Sequence, residues 1–231
     1  MSVVQYRNRL LQTLSKKDRS ILTPWLEPVE LGLRQTIEQP DTPITDIYFP
    51  ESGIISVVAR FGHRQIEVGL IGREGMSGTA VLLGDQRSPN EVYVQMAGDG
   101  HRISAKRLRH ALQTSRTLSH LLQRYAQAFL VQVAQTAFAN GTAIIDARLA
   151  RWLLMAHDRH DDDELPLTHE SIAVMLGVRR PGVTDALHKL EGKGLIKAER
   201  GVIRIVRRKG LIALAGPSYG VAEAEYERLI G

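Results

Sequence analysis

Cysteine is absent from the 231 residues. Its absence excludes disulfides, zinc fingers, thiolate catalysis and cysteine-ligated iron–sulfur clusters. Long apolar runs are missing too, and no stretch approaches the roughly 18 residues of a membrane span. The first ten residues carry Arg7 and Arg9 but no apolar core, so no signal peptide is expected. The phosphate-loop, nucleophile-elbow and zincin patterns do not occur. His63, His101, His110 and His120 are scattered, with no carboxylate or nucleophile at a suggestive spacing. These absences favour a cytoplasmic, non-enzymatic protein with no membrane partner.

What remains is an ordinary globular balance, 43% hydrophobic and 24% charged. It suits two modest domains or one large one. The net charge of +5 is unevenly spread. Residues 1–100 hold 10 basic and 12 acidic side chains, residues 101–147 hold 6 and 1, and residues 165–212 hold 10 and 4. A basic block in a discrete segment points to a polyanion, although surface lysines and arginines more often serve solvation alone.

Three textures divide the chain. Helices are expected at 4–13 and 15–22. Short β-branched runs at 44–49, 54–58, 65–71 and 91–96, separated by Gly, Pro, Asp and Asn, then predict an antiparallel sandwich or barrel. From Ser104 to Arg159 there is no proline. Leu118, Leu122, Tyr125, Phe129, Val133 and Thr136 recur there at intervals of three and four, one stripe of a long helix. A stripe of that length needs a partner, either its own sheet or the same helix of a second subunit. The homodimer is the expectation, with Gly141 marking a bend, a close approach or a tolerated defect.

The third texture begins after the acidic loop 158–164. Thr168 suits the N-cap of a helix that Gly177 stops. Pro181 suits the first position of a second helix, whose buried face is Val183, Ala186, Leu187 and Leu190. Residues 195–206 then read as a hairpin with a charged tip. This is helix–turn–helix–wing, in which the second helix enters the major groove by its N-terminal end. Arg179, Arg180, Gly182, Thr184 and Asp185 fall there, with His188 and Lys189 one turn on. Lys193, Lys197, Arg200, Arg204, Arg207 and Arg208 flank them where phosphates would pass. A winged helix used for protein contacts is the competing reading. His157 and His160 beside residues 161–164 have metal-like spacing, but a solvated acidic loop explains them and no metal is expected. Residues 223–230 read as a short amphipathic helix packed back on the domain.

Several blocks resemble the Crp/Fnr family of bacterial transcription regulators (cyclic-AMP receptor protein and fumarate–nitrate regulator). They are Arg148-Leu149-Ala150-Arg151, Leu167-Thr168-His169-Glu170-Ser171-Ile172-Ala173, Leu176-Gly177-Val178-Arg179-Arg180-Pro181-Gly182-Val183-Thr184, Leu190-Glu191 and Gly194-Leu195-Ile196. Gly72-Arg73-Glu74-Gly75-Met76 and Arg87-Ser88 are similar to that family's ligand-sensing β-roll. The resemblance implies an α+β chain: a cyclic-nucleotide-binding-like β-roll (jelly roll) at 1–115, a dimerisation helix at 116–146 and a winged helix–turn–helix at 147–231. It implies a homodimer on double-stranded DNA with an inverted-repeat operator, and RNA polymerase as a further partner. DNA contacts are then expected from Thr168, His169, Arg179, Arg180, Pro181, Thr184, Asp185, His188, Lys189, Lys193 and Arg200. Leu118, Leu122, Tyr125, Phe129 and Val133 would form the dimer seam.

The departures matter. Gly72, Arg73, Glu74, Arg87 and Ser88 occupy the family's ligand positions, but Arg73 stands where the cyclic-AMP binders have a ribose-binding Glu, unless Glu74 substitutes. Val133-Ala134 replaces their Thr-Ser pair. A cyclic-AMP response is therefore not expected, the effector is open, and no cofactor is expected. Pro181 and Asp185 replace a base-reading Glu and Arg, so the operator differs from that of the best-known members. The alternatives are a cyclic-nucleotide-binding effector that does not touch DNA, or an enzyme with an accessory basic winged domain.

Overall fold

A computed structural model describes residues 5–62 and 64–231. His63 and the start of the first expected helix lie outside the described residues. Two short helices, α1 (Arg9–Thr13) and α2 (Lys16–Leu22), are capped by Asn8 and Ser15. The strands β1 (Glu27–Leu31), β2 (Thr36–Glu38), β3 (Asp46–Pro50), β4 (Ile54–Phe61) and β5 (Arg64–Ile71) follow. Then come helix α3 (Thr79–Leu82) and strands β6 (Glu91–Met96) and β7 (Gly98–Ser104). All pairings are antiparallel, in two sheets of order β1-β7-β3 and β2-β6-β4-β5. Leu31, Ile55, Val57, Ile71, Val92 and Val94 form a core inside this roll, as the alternation of short β-branched strands predicts.

The proline-free stretch is three helices rather than one: α4 (Ala105–Thr114), α5 (Arg116–Thr142) and α6 (Ile145–His157). Ser115 ends α4 in extended backbone, and its hydroxyl accepts from Leu118 N to start α5. The stripe expected to face a second subunit faces inward instead. Leu118, Leu122 and Tyr125 are sealed in the sensor core, and the Tyr125 hydroxyl donates to Met76 O at 2.9 Å. Phe129 enters the roll so closely that a Cβ on Gly69 would lie 2.6 Å from its ring. Val133 is half-buried. The sheet covers the stripe because the roll has a concave face of its own to fill. The other face of α5 is left open, with Leu130 50% and Phe138 55% exposed.

The C-terminal part runs β8 (Glu164–Leu165), α7 (His169–Leu176), α8 (Arg180–Gly192), β9 (Ile196–Glu199), β10 (Val202–Ile205), α9 (Arg208–Ala215) and α10 (Val221–Ile230). Its three strands pair in the order β8-β10-β9. α10 packs back, as the amphipathic pattern suggests, but onto α5 and the sensor core: Tyr226 and Ile230 join that cluster, and the Tyr226 hydroxyl donates to Glu74 O at 2.6 Å.

The two halves share one core. Ile54, Leu70 and Met96 of the roll cluster with Trp152, Met175 and Leu176. Gly177, in left-handed backbone at φ 59°, rests on β5, and a Cβ there would meet Ile66 at 2.8 Å. At the centre of the junction, Glu67 of β5 accepts from Trp152 Nε1 of α6 at 2.6 Å and from Ser56 Oγ at 2.5 Å. Burial pushes the Glu67 carboxyl up to about 7, against the downward pull of those two bonds and of Arg159 and Arg151. The native chain therefore keeps a proton that the unfolded chain loses near 4.5. Stability from this group is full below that value and is lost as pH rises through about 7, a term on the order of 3 kcal/mol. Thermal melting between pH 5 and 8 should show wild type weakening with pH, while Glu67→Gln stays flatter and keeps the Trp152 bond. Parallel curves for the two proteins would refute it.

Candidate nucleic-acid interface

The interface is built from three local features. Thr168 caps α7: its hydroxyl accepts from Ser171 N, and Ser171 Oγ in turn accepts from Thr168 N. Gly177 ends α7 in left-handed backbone, which turns the chain within three residues. Arg179, in extended backbone, is the N-cap of α8, and Pro181 follows Arg180 in the first turn, one place later than expected. The face Val183, Ala186, Leu187 and Leu190 is buried as the pattern predicts, so the opposite face of α8 projects outward.

On that outward face Arg179, Arg180, Pro181, Asp185, His188, Lys189, Lys193 and Arg200 are exposed. Arg179, Arg180, Lys193 and Arg200 take part in none of the ion pairs among the described residues. Lys189 reaches back to Asp146 at 3.5 Å. Between the start of α7, the outer face of α8 and the wing lies an open groove of about 740 Å³, lined in part by Thr168, His169, Arg180, His188 and Arg200. A cationic concavity beside a projecting helix is a shape that receives a duplex backbone while base edges meet the helix start.

Other expected contacts are committed elsewhere. The Thr168 hydroxyl is spent on its cap. His169 Nδ1 lies 3.1 Å from Thr184 Oγ1, which ties α7 to α8 and leaves both only half-exposed. Gly182 does not open the helix to DNA, since a Cβ there would face Ile145 of α6 at 3.6 Å. Among the flanking cations, Lys197 pairs with Glu199 at 2.8 Å and Arg204 pairs with Glu164. Arg207 donates to Lys193 O at 2.7 Å. Arg208 is drawn out of the interface into a cluster with Asp158 (2.5 Å) and the Tyr219 hydroxyl (2.7 Å).

The expected ligand set is not gathered. Glu74 accepts from Arg159 Nε at 2.8 Å and from Gly72 N at 3.2 Å, so its carboxylate is spent on an ion pair with the end of α6. Arg73 pairs with Asp161 at 2.5 Å. Arg87 is exposed, and Ser88 accepts from Asn90 N in its own loop. Neither Arg87 nor Ser88 lines the cavity that Arg73 and Glu74 border. His157 lies between Asp163 and Arg208 at 2.8 Å each, and the described residues bring no three metal-binding side chains together. No helix of the described residues is long and apolar enough to cross a membrane.

A winged helix–turn–helix docked on a β-roll through a long helix is the class of a sensor-linked DNA-binding protein. Residues 147–214 match the Crp-like helix-turn-helix domain family. Among solved structures the fold is similar to that of a protein from Eubacterium rectale described as a Crp/Fnr-family transcriptional regulator, at 20% identity and a TM-score of 0.70, over 89% of this chain and 97% of that one. It is similar to FixK2 from Bradyrhizobium japonicum at 16% identity and a TM-score of 0.70, over 83% and 98% of the two chains. It is also similar to the c-di-GMP-responsive global regulator of Xanthomonas campestris at 19% identity and a TM-score of 0.62, over 83% and 99%. No curated protein sequence matches the chain. The chain is of the Crp/Fnr type, a transcriptional regulator architecture carrying a Crp-like helix–turn–helix DNA-binding domain.

Proposed function

We propose that the chain is a non-catalytic regulator that binds an inverted-repeat operator as a homodimer in the bacterial cytoplasm. The observation that carries this reading is the group of uncommitted cations, Arg179, Arg180, Lys193 and Arg200, around the groove beside α8. Arg180 is the base reader and pairs with guanine O6 and N7. Arg179, Lys193 and Arg200 meet phosphates, and Asp185 accepts from a cytosine amino group. The dimer forms through the outer face of α5, where Leu130, Ala134, Ala137, Phe138 and Gly141 are exposed at a spacing near 3.5. Contact with RNA polymerase belongs to the same reading.

Cyclic AMP is not the effector in this reading. Glu74 has no oxygen to spare for a ribose, and Val133-Ala134 has no hydrogen bond to give a base. Calorimetry showing micromolar cyclic-AMP binding that alters DNA affinity would overturn that part.

Anisotropy titration of the full chain against a pool of duplexes enriched for binding tests the proposal, with nanomolar affinity at moderate salt as the expected result. Lys193→Ala or Arg200→Ala should weaken binding to every duplex alike. Each should make the slope of log affinity against log salt shallower by about 0.9. An unchanged slope in both variants would take phosphate contact away from these residues.

A further inference from the structure

We infer that the cavity where α10 closes over α5 and the Gly72–Gly75 turn is a binding site for a small zwitterion, an α-amino acid with an aromatic or large apolar side chain. The cavity has a volume of about 550 Å³ and is bordered by both halves of the chain: Glu74, Phe129, Arg159 and Tyr226 are among its walls, with Glu223 beside them. Arg87 and Ser88, the residues similar to the family's phosphate cradle, are not.

Most charges around it are matched within the chain. Arg9 pairs with Glu227 at 2.7 Å, Arg73 with Asp161 at 2.5 Å, and Asp158 accepts from Arg208 and from the Tyr219 hydroxyl. Two groups keep unused capacity. Arg159, 8% exposed, spends Nε on Glu74 and Nη1 on Met155 O, whereas its Nη2 donates to no described residue. That atom is not among the sealed orphan atoms of the chain, so it opens to space, and this cavity is the one Arg159 borders. Burial alone lowers the pKa of this guanidinium, but Glu74, Asp158 and Glu223 more than offset it, and the group stays charged. Glu223 uses Oε2 to accept from Gly220 N at 2.9 Å, and its Oε1 accepts from no described residue.

One buried cationic donor and one spare carboxylate oxygen at the same cavity match the two ends of an amino acid. A plain anion would satisfy Arg159 but face Glu223 and Asp158, and a plain cation would meet the reverse conflict. The aromatic wall of Phe129 and Tyr226 takes the apolar body. The occupant would touch the sensor turn, the end of α6 and α10 together, and so bears on how the two halves are held.

Calorimetry on the full chain without DNA tests this, which keeps its outcome separate from that of the operator reading. The probes are L-phenylalanine, L-tryptophan and L-leucine, with 3-phenylpropionate and phenethylamine as analogues lacking one charge each. At least one of the three amino acids should bind, and each analogue should bind at least tenfold more weakly. Glu223→Gln keeps an acceptor for the α10 cap, and it should lower amino-acid affinity at least tenfold while leaving 3-phenylpropionate unchanged. Ala224→Trp, on the exposed rim of the cavity, should block binding with the melting temperature retained. No binding of any of the three at millimolar concentration, or equal binding by wild type and both variants, would overturn the assignment.

Discussion

Phe138→Asp leaves the protomer folded, makes the protein monomeric and lowers operator affinity at least a hundredfold. Phe138 is more than half exposed and lies on the outer face of α5, so an aspartate there meets water in the lone protomer. In a dimer the same aspartate is buried against its own symmetry mate, an unpaired charge in an apolar seam. A monomer engages one half-site only and forfeits the effective concentration that links two, typically a factor of 10²–10⁴. Leu130→Asp, on the same face, should act alike. Leu122→Asp should instead unfold the sensor, because Leu122 is sealed in the core of its own protomer. Light scattering at micromolar concentration, paired with anisotropy on the operator, checks all three. A wild-type monomer, or a Phe138→Asp protein that still dimerises, would remove this seam.

Arg180→Ala comes next in size. Arg180 is the first helical residue of α8, held by the N-cap at Arg179 and the fixed φ of Pro181, with no carboxylate among the described residues to hold it back. Loss of a bidentate guanine contact costs about 1–3 kcal/mol per half-site, roughly a tenfold loss at the least in each. Both half-sites lose it in a dimer, so affinity should fall by a hundredfold or more and preference at one base position should relax. The folded chain should be untouched, because the side chain packs on nothing. If Arg180→Ala changed neither affinity nor preference while Arg179→Ala abolished specificity, the register of α8 on the groove would be off by one residue.

The elements that were legible in the sequence are those fixed by neighbours in the chain. Gly and Pro punctuation located β3 to β6, and Thr168, Gly177 and the Arg180-Pro181 pair located the two helices of the reading head with its buried face. What was not legible depends on residues far apart. The stripe Leu118, Leu122, Tyr125 and Phe129 has the spacing of a seam, but periodicity says which residues share a face and not what covers it. α5 is apolar on two faces, and the roll takes one of them. Glu74 resembles a ligand-binding acid until Arg159, 85 residues later, claims it. Glu67 and Trp152 are equally distant, and nothing local marks either as the junction between the halves. The flanking arginines divide in the same way: Arg200 keeps its charge free, while Arg204 and Arg208 have carboxylate partners brought to them by β8 and the loop before it.

The most direct measurement is a selected-site enrichment with the purified full-length protein on random duplex DNA. Enrichment of an inverted repeat is predicted, with half-sites about one helical turn apart and a G·C pair in each that Arg180→Ala ceases to select. Enrichment of no sequence, or of a single asymmetric site indifferent to Arg180, would contradict the account.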